Sequence, residues 1–264
     1  MSGHDSLHKV PRRILRKMDF LSDQKGIMNR FLRESENWEK HLHETQRFIL
    51  QTAKTKEKNL AVILGSGWLL DVPIEALTQQ FRKVHLYDII HPPQIKKKME
   101  KYPNVKLFEA DLTGGAIQGA YEAFTQYKRK MEKKLINSFG QYRFHFPYKP
   151  DFVVSCNVLT QLSTLVVSFL RKKKVYTDKE LNRLEHILQE QHIQFLYQQP
   201  SVIISEYKEI LRDPNDQFIG SNPLLHTSLP EARATKTWEW KFDTEMRYRE
   251  DMKTIFHVKA IDLK

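Results

Sequence analysis

Small or polar side chains follow four apolar segments in a row, and their types could bind a nucleotide-like ligand. They are Gly65, Ser66, Gly67, Asp88, Asp111 and Asn157. Glycine permits close backbone approach and unusual φ angles. A carboxylate about 20 residues past a glycine loop, where Asp88 stands, receives ribose hydroxyls in nucleotide-binding folds. The spacing predicts a ligand site, although each residue alone could equally belong to a turn or a helix cap.

These residues can meet only if the segments before them are neighbouring strands. Apolar runs predict strands at 59–64, 83–90, 104–111, 150–159, 200–207, 237–244 and 253–263. Helical periodicity covers 28–53, 74–81, 93–102, 116–138 and 161–170, and a capping box at Thr177 and Glu180 opens one more helix.

Strands that alternate with helices predict an α/β fold, in which a parallel sheet has helices on both faces. The carboxyl ends of parallel strands share one edge, where such sheets bind ligands. The last two strands are joined by a short polar segment and predict an antiparallel hairpin. We therefore expect seven strands, five parallel plus this hairpin. Residues 1–57 are expected to form an N-terminal helical extension or lid, and 58–264 the main domain.

The excess of basic residues favours an anionic partner but does not identify one. Lys and Arg number 43 against 32 Asp and Glu, a net charge of +11. A nucleic-acid partner is not favoured, since the basic residues form short clusters typical of solvated helix faces. The largest cluster, Lys128 to Lys134, is predicted on one helix and keeps an anionic partner or substrate open. The oligomeric state is left open.

The chain has the composition of a reduced, globular protein. A single cysteine, Cys156, excludes an internal disulfide and a zinc site built from several thiolates, and no metal is expected. No apolar run approaches the roughly 20 residues of a membrane span. The basic N-terminus lacks the apolar core of a secretory signal. We expect a cytoplasmic protein.

The glycine loop fits neither of two common phosphate-binding motifs. The dinucleotide fingerprint requires glycine or alanine at its sixth position, where this chain has Leu70. No P-loop motif is present either. A dinucleotide or nucleotide-sugar enzyme is therefore the weakest of the readings.

In order and spacing, these motifs resemble those of the class I S-adenosylmethionine-dependent methyltransferases, which have a Rossmann-like fold of seven strands. The resemblance covers about residues 59–264 and rests on "ILGSG", "LYDI", "EADL" and "DFVVSCNVLTQL". It implies S-adenosylmethionine as cofactor and methyl transfer to an unidentified acceptor.

Residue by residue, the resemblance implies a binding site for each part of the cofactor. Gly65, Ser66 and Gly67 would line the methionine, and Asp88 would hold the ribose. Ile89 would pack on the adenine, Asp111 and Leu112 would meet its polar edge, and Asn157 would border the methyl group.

The loop also departs from the family pattern at two positions. Ile63 stands where an acid is usual, and Leu69 where a third glycine is common. Asp71 could replace the missing acid, but we expect it to cap the helix that Pro73 begins.

Methyl transfer from a sulfonium needs positioning more than acid–base help, so a general base is optional. The candidates are His91, Glu206, Tyr207 and His226. An alternative of another class is a catalytically silent Rossmann-like binding protein that docks an anionic partner through its basic helices. The affinity for S-adenosylmethionine distinguishes the two, because an enzyme should bind this cofactor and a silent binding protein should not.

Overall fold

The computed structural model describes residues 9–263, which form one mixed sheet with helices around it. The strands are β1 Leu60–Leu64, β2 Lys83–Asp88, β3 Val105–Glu109, β4 Phe152–Cys156, β5 Ser201–Arg212, β6 Phe218–Pro223, β7 Ala234–Asp243 and β8 Lys253–Asp262. The helices are α1 Arg12–Lys17, α2 Phe20–Ala53, α3 Ile74–Gln80, α4 Pro93–Met99, α5 Ala116–Lys128, α6 Gln161–Lys172 and α7 Asp178–Tyr197, with a short 3₁₀ helix at Ile136–Gln141.

The strand order puts the predicted site residues at a single edge. Neighbouring strands run β3-β2-β1-β4-β5-β8-β7. The pairs among β1 to β5 are parallel, and β8 pairs antiparallel with both β5 and β7. The five parallel strands and the closing antiparallel pair are confirmed. The chain order reverses between β1 and β4, so Gly65 and Asn157 follow the two strands that flank the reversal, where α/β sheets bind ligands.

All seven predicted strands are present, and the structure adds an eighth, β6, that was not predicted. β6 lies in what we expected to be an irregular loop, and it pairs antiparallel with the outer half of β5, which runs on to Arg212. Most of the side chains of β6 are exposed on both faces. The strand therefore lacks the alternation of apolar and polar residues by which a half-buried strand is recognised.

The prediction of one long helix at 116–138 is wrong, because α5 ends at Lys128. The chain turns there and then enters the short 3₁₀ helix. The basic cluster from Lys128 to Lys134 is thus not one helical face. Lys133 donates to Glu180 at 2.7 Å, and Lys134 donates to Tyr142 at 2.6 Å.

The N-terminal helix α2 begins at Phe20, earlier than predicted, and packs on the β7 side of the sheet. Trp38 is buried and donates its indole N–H to the Phe242 carbonyl at 2.9 Å. Ile49 belongs to the same apolar cluster as Ile63 of β1. Residues 1–8 of the predicted extension lie outside the described residues, and the division at 57/58 stays a prediction.

Candidate functional site

A cavity of about 290 Å³ opens at the carboxyl ends of the parallel strands. It is lined by all eight residues predicted to contact a cofactor, namely Gly65, Ser66, Gly67, Asp88, Ile89, Asp111, Leu112 and Asn157. Residues of α2, including Gln24, Trp38 and His41, line it as well. Four strand ends and one helix therefore converge on a single space.

The backbone of the loop after β1 explains its glycines. Gly65 has a φ of 75°, and a Cβ atom there would lie 2.0 Å from Cγ2 of Val158. Gly67 also has a positive φ, of 40°. Leu69, at the position where the family often has a third glycine, adopts a φ of 56°. The left-handed backbone is thus kept at Leu69, while its side chain is buried in the core.

The N–H groups of the loop bind within the protein. Gly65 and Ser66 both donate to the Tyr87 carbonyl, at 2.9 and 3.2 Å. Gly67 donates to Oδ2 of Asp88 at 2.7 Å. His91 contacts the Ser66 hydroxyl at 3.0 Å from behind the loop. A phosphate-cradling loop points its N–H groups at the ligand, and these three point at β2.

Asp88 has hydrogen-bonding capacity left for a ligand. Its Oδ2 accepts from Gly67 at 2.7 Å, its Oδ1 accepts a long bond from the Ile90 N–H at 3.4 Å, and the Ile89 N–H also acts on the carboxylate. Burial raises the pKa of this carboxyl to about 6. The fixed carboxylate at the end of β2 can therefore accept further donors, as two ribose hydroxyls would be.

Asp111 lines the same cavity, but its oxygens are already engaged. Oδ1 accepts from the N–H and the hydroxyl of Thr113, at 2.8 and 2.5 Å. Oδ2 accepts from the N–H groups of Gly115 and Ile117, at 3.1 and 3.4 Å. The carboxylate therefore holds the start of α5, which leaves it little capacity for an adenine ring.

The expectation that Asp71 caps a helix is wrong. α3 begins after Pro73 and has no side-chain cap. Asp71 instead lines the cavity, where its Oδ2 accepts from Asn157 Nδ2 at 2.7 Å and from the Cys156 thiol at 3.3 Å. The loop carries this carboxylate back to the end of β4, and burial raises its pKa. Its place seven residues past the end of β1 gave no sequence signal for that contact.

Among the four candidate bases, Glu206 lies at the cavity. Its side chain is buried, with 3% exposure, and Oε2 accepts from the Thr160 hydroxyl at 3.0 Å. Burial raises the pKa of its carboxyl to about 7, and Asp71 adds to the shift. A carboxyl with a pKa near neutrality can take up and release a proton at physiological pH.

The other three candidates, all within the described part of the chain, do not line the cavity. His91 is buried behind the glycine loop, and burial lowers its pKa to about 4. Tyr207 packs on His257, with ring centroids 6.0 Å apart. His226 lies 3.2 Å from Glu185 on α7. Sequence position at a strand end thus did not separate Glu206 from its neighbour Tyr207.

The cavity is acidic although the protein is basic. Among residues 9–263, its charged lining consists of Asp23, Asp71, Asp88, Asp111, Glu206 and Arg30. The one guanidinium stacks on Phe242 and Tyr248, 4.4 and 4.8 Å from the ring centroids. Five carboxylates against one fixed cation favour a cationic ligand over a polyphosphate.

No group of three or more His, Cys, Asp or Glu side chains among the described residues could hold a metal ion. No helix in 9–263 is both long and apolar enough to cross a membrane.

Comparisons with known proteins give similarity at the level of structure only. No protein-family model and no curated protein matches the chain. Similar solved structures include the Burkholderia thailandensis 1,6-didemethyltoxoflavin-N1-methyltransferase with bound S-adenosylhomocysteine, at 9% identity over 99% of this chain and 94% of that one, with a TM-score of 0.44. The DhpI complex with SAH matches at 7% identity over 94% and 96%, with a TM-score of 0.38. The 23S rRNA methyltransferase ErmE matches at 11% over 82% and 68%, with a TM-score of 0.32. At these scores the matches carry no conclusion about ligand or reaction.

Proposed function

We propose that this protein is an S-adenosylmethionine-dependent methyltransferase of the class I type. The observation that carries the proposal is the convergence of all eight predicted residues on one acidic cavity. S-adenosylmethionine has a sulfonium and an ammonium against a single carboxylate, so it is a net cation. An acidic cavity attracts such a ligand, and it disfavours the pyrophosphate of a dinucleotide.

Each part of the cofactor finds a partner in the cavity under this proposal. Asp88 would accept the ribose hydroxyls, and Ile89 and Leu112 would flank the adenine. Asp71 would pair with the ammonium, in place of the acid that the chain lacks at Ile63. Asn157, whose backbone has a φ of 50° and whose Nδ2 donates to Asp71, would border the methyl group.

Catalysis then depends on geometry and on exclusion of water. When bound, the cofactor supplies an already activated methyl group, so in-line alignment of the acceptor supplies most of the rate. α2 closes the loop side of the cavity: Gln24 accepts at its carbonyl from the Trp68 indole at 2.8 Å and donates from its side chain to the Ile90 carbonyl at 2.6 Å. These two bonds join the lid to the ends of β1 and β2 and shield the site from solvent.

A small-molecule acceptor fits this site better than a macromolecule. The volume of about 290 Å³ is near the lower end for small-molecule pockets, and side chains of α2, β5, β7 and β8 line the cavity together with the strand-end loops. The silent binding protein is the second candidate, and the basic segment Lys128 to Lys134 is the feature that favours it. Two of its lysines already bind within the protein, to Glu180 and Tyr142, which weakens that case.

Mass spectrometry of ligands that co-purify with the protein tests the proposal. The wild-type protein is expected to carry S-adenosylmethionine or S-adenosylhomocysteine after gentle purification, or to retain it after incubation at millimolar concentration and desalting. Asp88→Ala, prepared in parallel, is expected to lose it. Recovery of a dinucleotide, or of no ligand even after incubation, would contradict the proposal.

A further inference from the structure

One end of the cavity holds a buried carboxylate with no cation to balance it. Within residues 9–263, the groups that act on Glu206 are its own backbone N–H, the Thr160 hydroxyl and the carboxylate of Asp71. The neighbouring titratable groups are the Cys156 thiol, whose pKa is raised by burial, and His41, whose pKa burial lowers to about 3. Neither supplies a positive charge at neutral pH. Arg30, the one fixed cation of the lining, stacks on Phe242 and Tyr248 and does not contribute to the pKa shift of Glu206. A buried carboxylate in this state is stabilised when a ligand brings the cation.

The wall beside Glu206 is apolar and aromatic. Glu206 pairs with Val258 across the β5–β8 ladder, so the two side chains share a face of the sheet. Phe256 lies two residues along β8 on that face and pairs with Trp240 of β7. The cavity lining at this end includes Trp38, Leu224, Trp240, Phe242 and Phe256. A ligand here would place a charged group at Glu206 and an apolar group against these rings.

Two buried polar atoms in the same region have no partner. Asn157 Oδ1 and Trp240 Nε1 make no hydrogen bond within the described residues. Both residues line the cavity and meet at His41, which stacks on Trp240 with centroids 3.8 Å apart and lies 3.3 Å from Asn157 Nδ2. Buried polar atoms are satisfied in the great majority of cases. An acceptor and a donor left open in one cavity are what a polar ligand would satisfy.

We propose that this end of the cavity binds the methyl acceptor as a primary amine carried on an aromatic group, and that Glu206 removes a proton from it. The proposal rests on the proposed function, because it assigns the acceptor of that reaction. The ammonium form is bound by the carboxylate, and the aromatic part lies against Trp240 and Phe256. Glu206 is then a catalytic residue, since it touches the reacting nitrogen.

The step balances without a further reactant. The ammonium gives one proton to the Glu206 carboxylate, which leaves a neutral amine with a free electron pair. That pair forms the N–CH₃ bond as the S–CH₃ bond breaks, and the bonding electrons stay on sulfur. The products are a methylammonium ion and S-adenosylhomocysteine, and Glu206 returns its proton to solvent when the site opens.

Calorimetry with three probes of one shape tests the acceptor class. Phenethylamine, 2-phenylethanol and phenylacetate are titrated at pH 8 into the protein, with and without S-adenosylhomocysteine. We expect the amine to bind about tenfold or more tightly than the neutral alcohol, since a charge-assisted hydrogen bond contributes about 1.5–3 kcal/mol. Phenylacetate is expected not to bind. Glu206→Gln should remove the preference for the amine.

Glu209→Gln is the matched control, because Glu209 is a buried glutamate on the same strand that lies outside the cavity lining and pairs with Arg249 at 2.8 Å. It should keep the preference for the amine. Equal binding of amine and alcohol, or an amine preference that survives Glu206→Gln, would overturn the proposal. The titrations without S-adenosylhomocysteine measure binding of the probes at the amine site independently of the cofactor. Absence of S-adenosylhomocysteine binding alone would refute the proposed function and not the amine site.

Discussion

Replacing Glu206 by glutamine is expected to stabilise the unliganded protein at neutral pH. Glutamine has the shape of the protonated side chain and can still accept from the Thr160 hydroxyl, 3.0 Å away in the wild type. The negative charge, which has no balancing cation among residues 9–263, is removed. The substitution therefore removes an unfavourable buried charge and keeps the packing.

The magnitude follows from the pKa of this carboxyl, which burial raises from 4.5 to about 7. Between these values the unfolded chain is ionised while the folded protein holds the proton, so the folded state binds more protons and stability falls as the pH rises. Each pKa unit corresponds to 1.36 kcal/mol, which gives a loss of up to about 3 kcal/mol between pH 4.5 and 7. Glu206→Gln should avoid that loss.

Urea denaturation of both proteins from pH 4.5 to 8 measures the difference. The two free energies of unfolding should agree near pH 4.5 and separate as the pH rises, with the variant more stable by up to about 3 kcal/mol at pH 8. Glu209→Gln should have the opposite sign at pH 8, because it leaves Arg249 without its carboxylate partner. A Glu206→Gln variant that is less stable than wild type at pH 8, or a pH-independent difference, would refute the account of Glu206 as an unbalanced charge.

Three further predictions concern the loop and the lid. Asp71→Asn should weaken S-adenosylmethionine binding about tenfold or more in calorimetry, since it removes a charge-assisted bond to the ammonium. Asp111→Asn should chiefly lower the melting temperature, because all the donors to Asp111 are within the protein. Equal loss of affinity without loss of stability in both would count against these roles. Gly65→Ala should lower the melting temperature far more than Gly67→Ala. A Cβ at Gly65 would lie 2.0 Å from Val158, whereas one at Gly67 would meet nothing closer than 3.7 Å. Similar melting temperatures of the two variants would contradict this prediction. A variant beginning at Lys58 should unfold at lower urea concentration and lose cofactor affinity, because α2 shares the core of the sheet; unchanged stability and affinity would show that α2 is dispensable.

The sequence predicted the parallel part of the sheet because its strands are apolar runs that small or polar residues follow, and all but the edge strand β3 are largely buried on both faces. The segment 59–64 and strand β1 differ by one residue, and the capping box at Thr177 and Glu180 is present at the start of α7. Elements of this kind are determined by the residues within the segment itself. The residues that line the cavity could be predicted in the same way, because the carboxyl ends of neighbouring parallel strands lie at the same edge of the sheet.

What the sequence could not predict depended on contacts between distant segments. β6 is exposed and forms only because the outer half of β5 offers it a partner. Asp71 reaches Asn157, 86 positions away, so nothing in its neighbourhood distinguished a ligand-facing carboxylate from a helix cap. Glu206 and Tyr207 are adjacent, but Glu206 pairs with Val258 and lines the cavity, whereas Tyr207 lies at a β-bulge and packs on His257. These three outcomes require the tertiary structure.

Calorimetric titration of S-adenosylhomocysteine into the wild-type protein and into Asp88→Ala at pH 8 tests the central claim most directly. Asp88 is anchored by the Gly67 N–H at 2.7 Å and has capacity for two further donors. Two charge-assisted bonds of about 1.5–3 kcal/mol each predict saturable 1:1 binding to the wild type, weakened at least about tenfold by Asp88→Ala. No binding to the wild type at millimolar ligand, or equal affinity in the two proteins, would contradict the claim that this acidic cavity is the cofactor site.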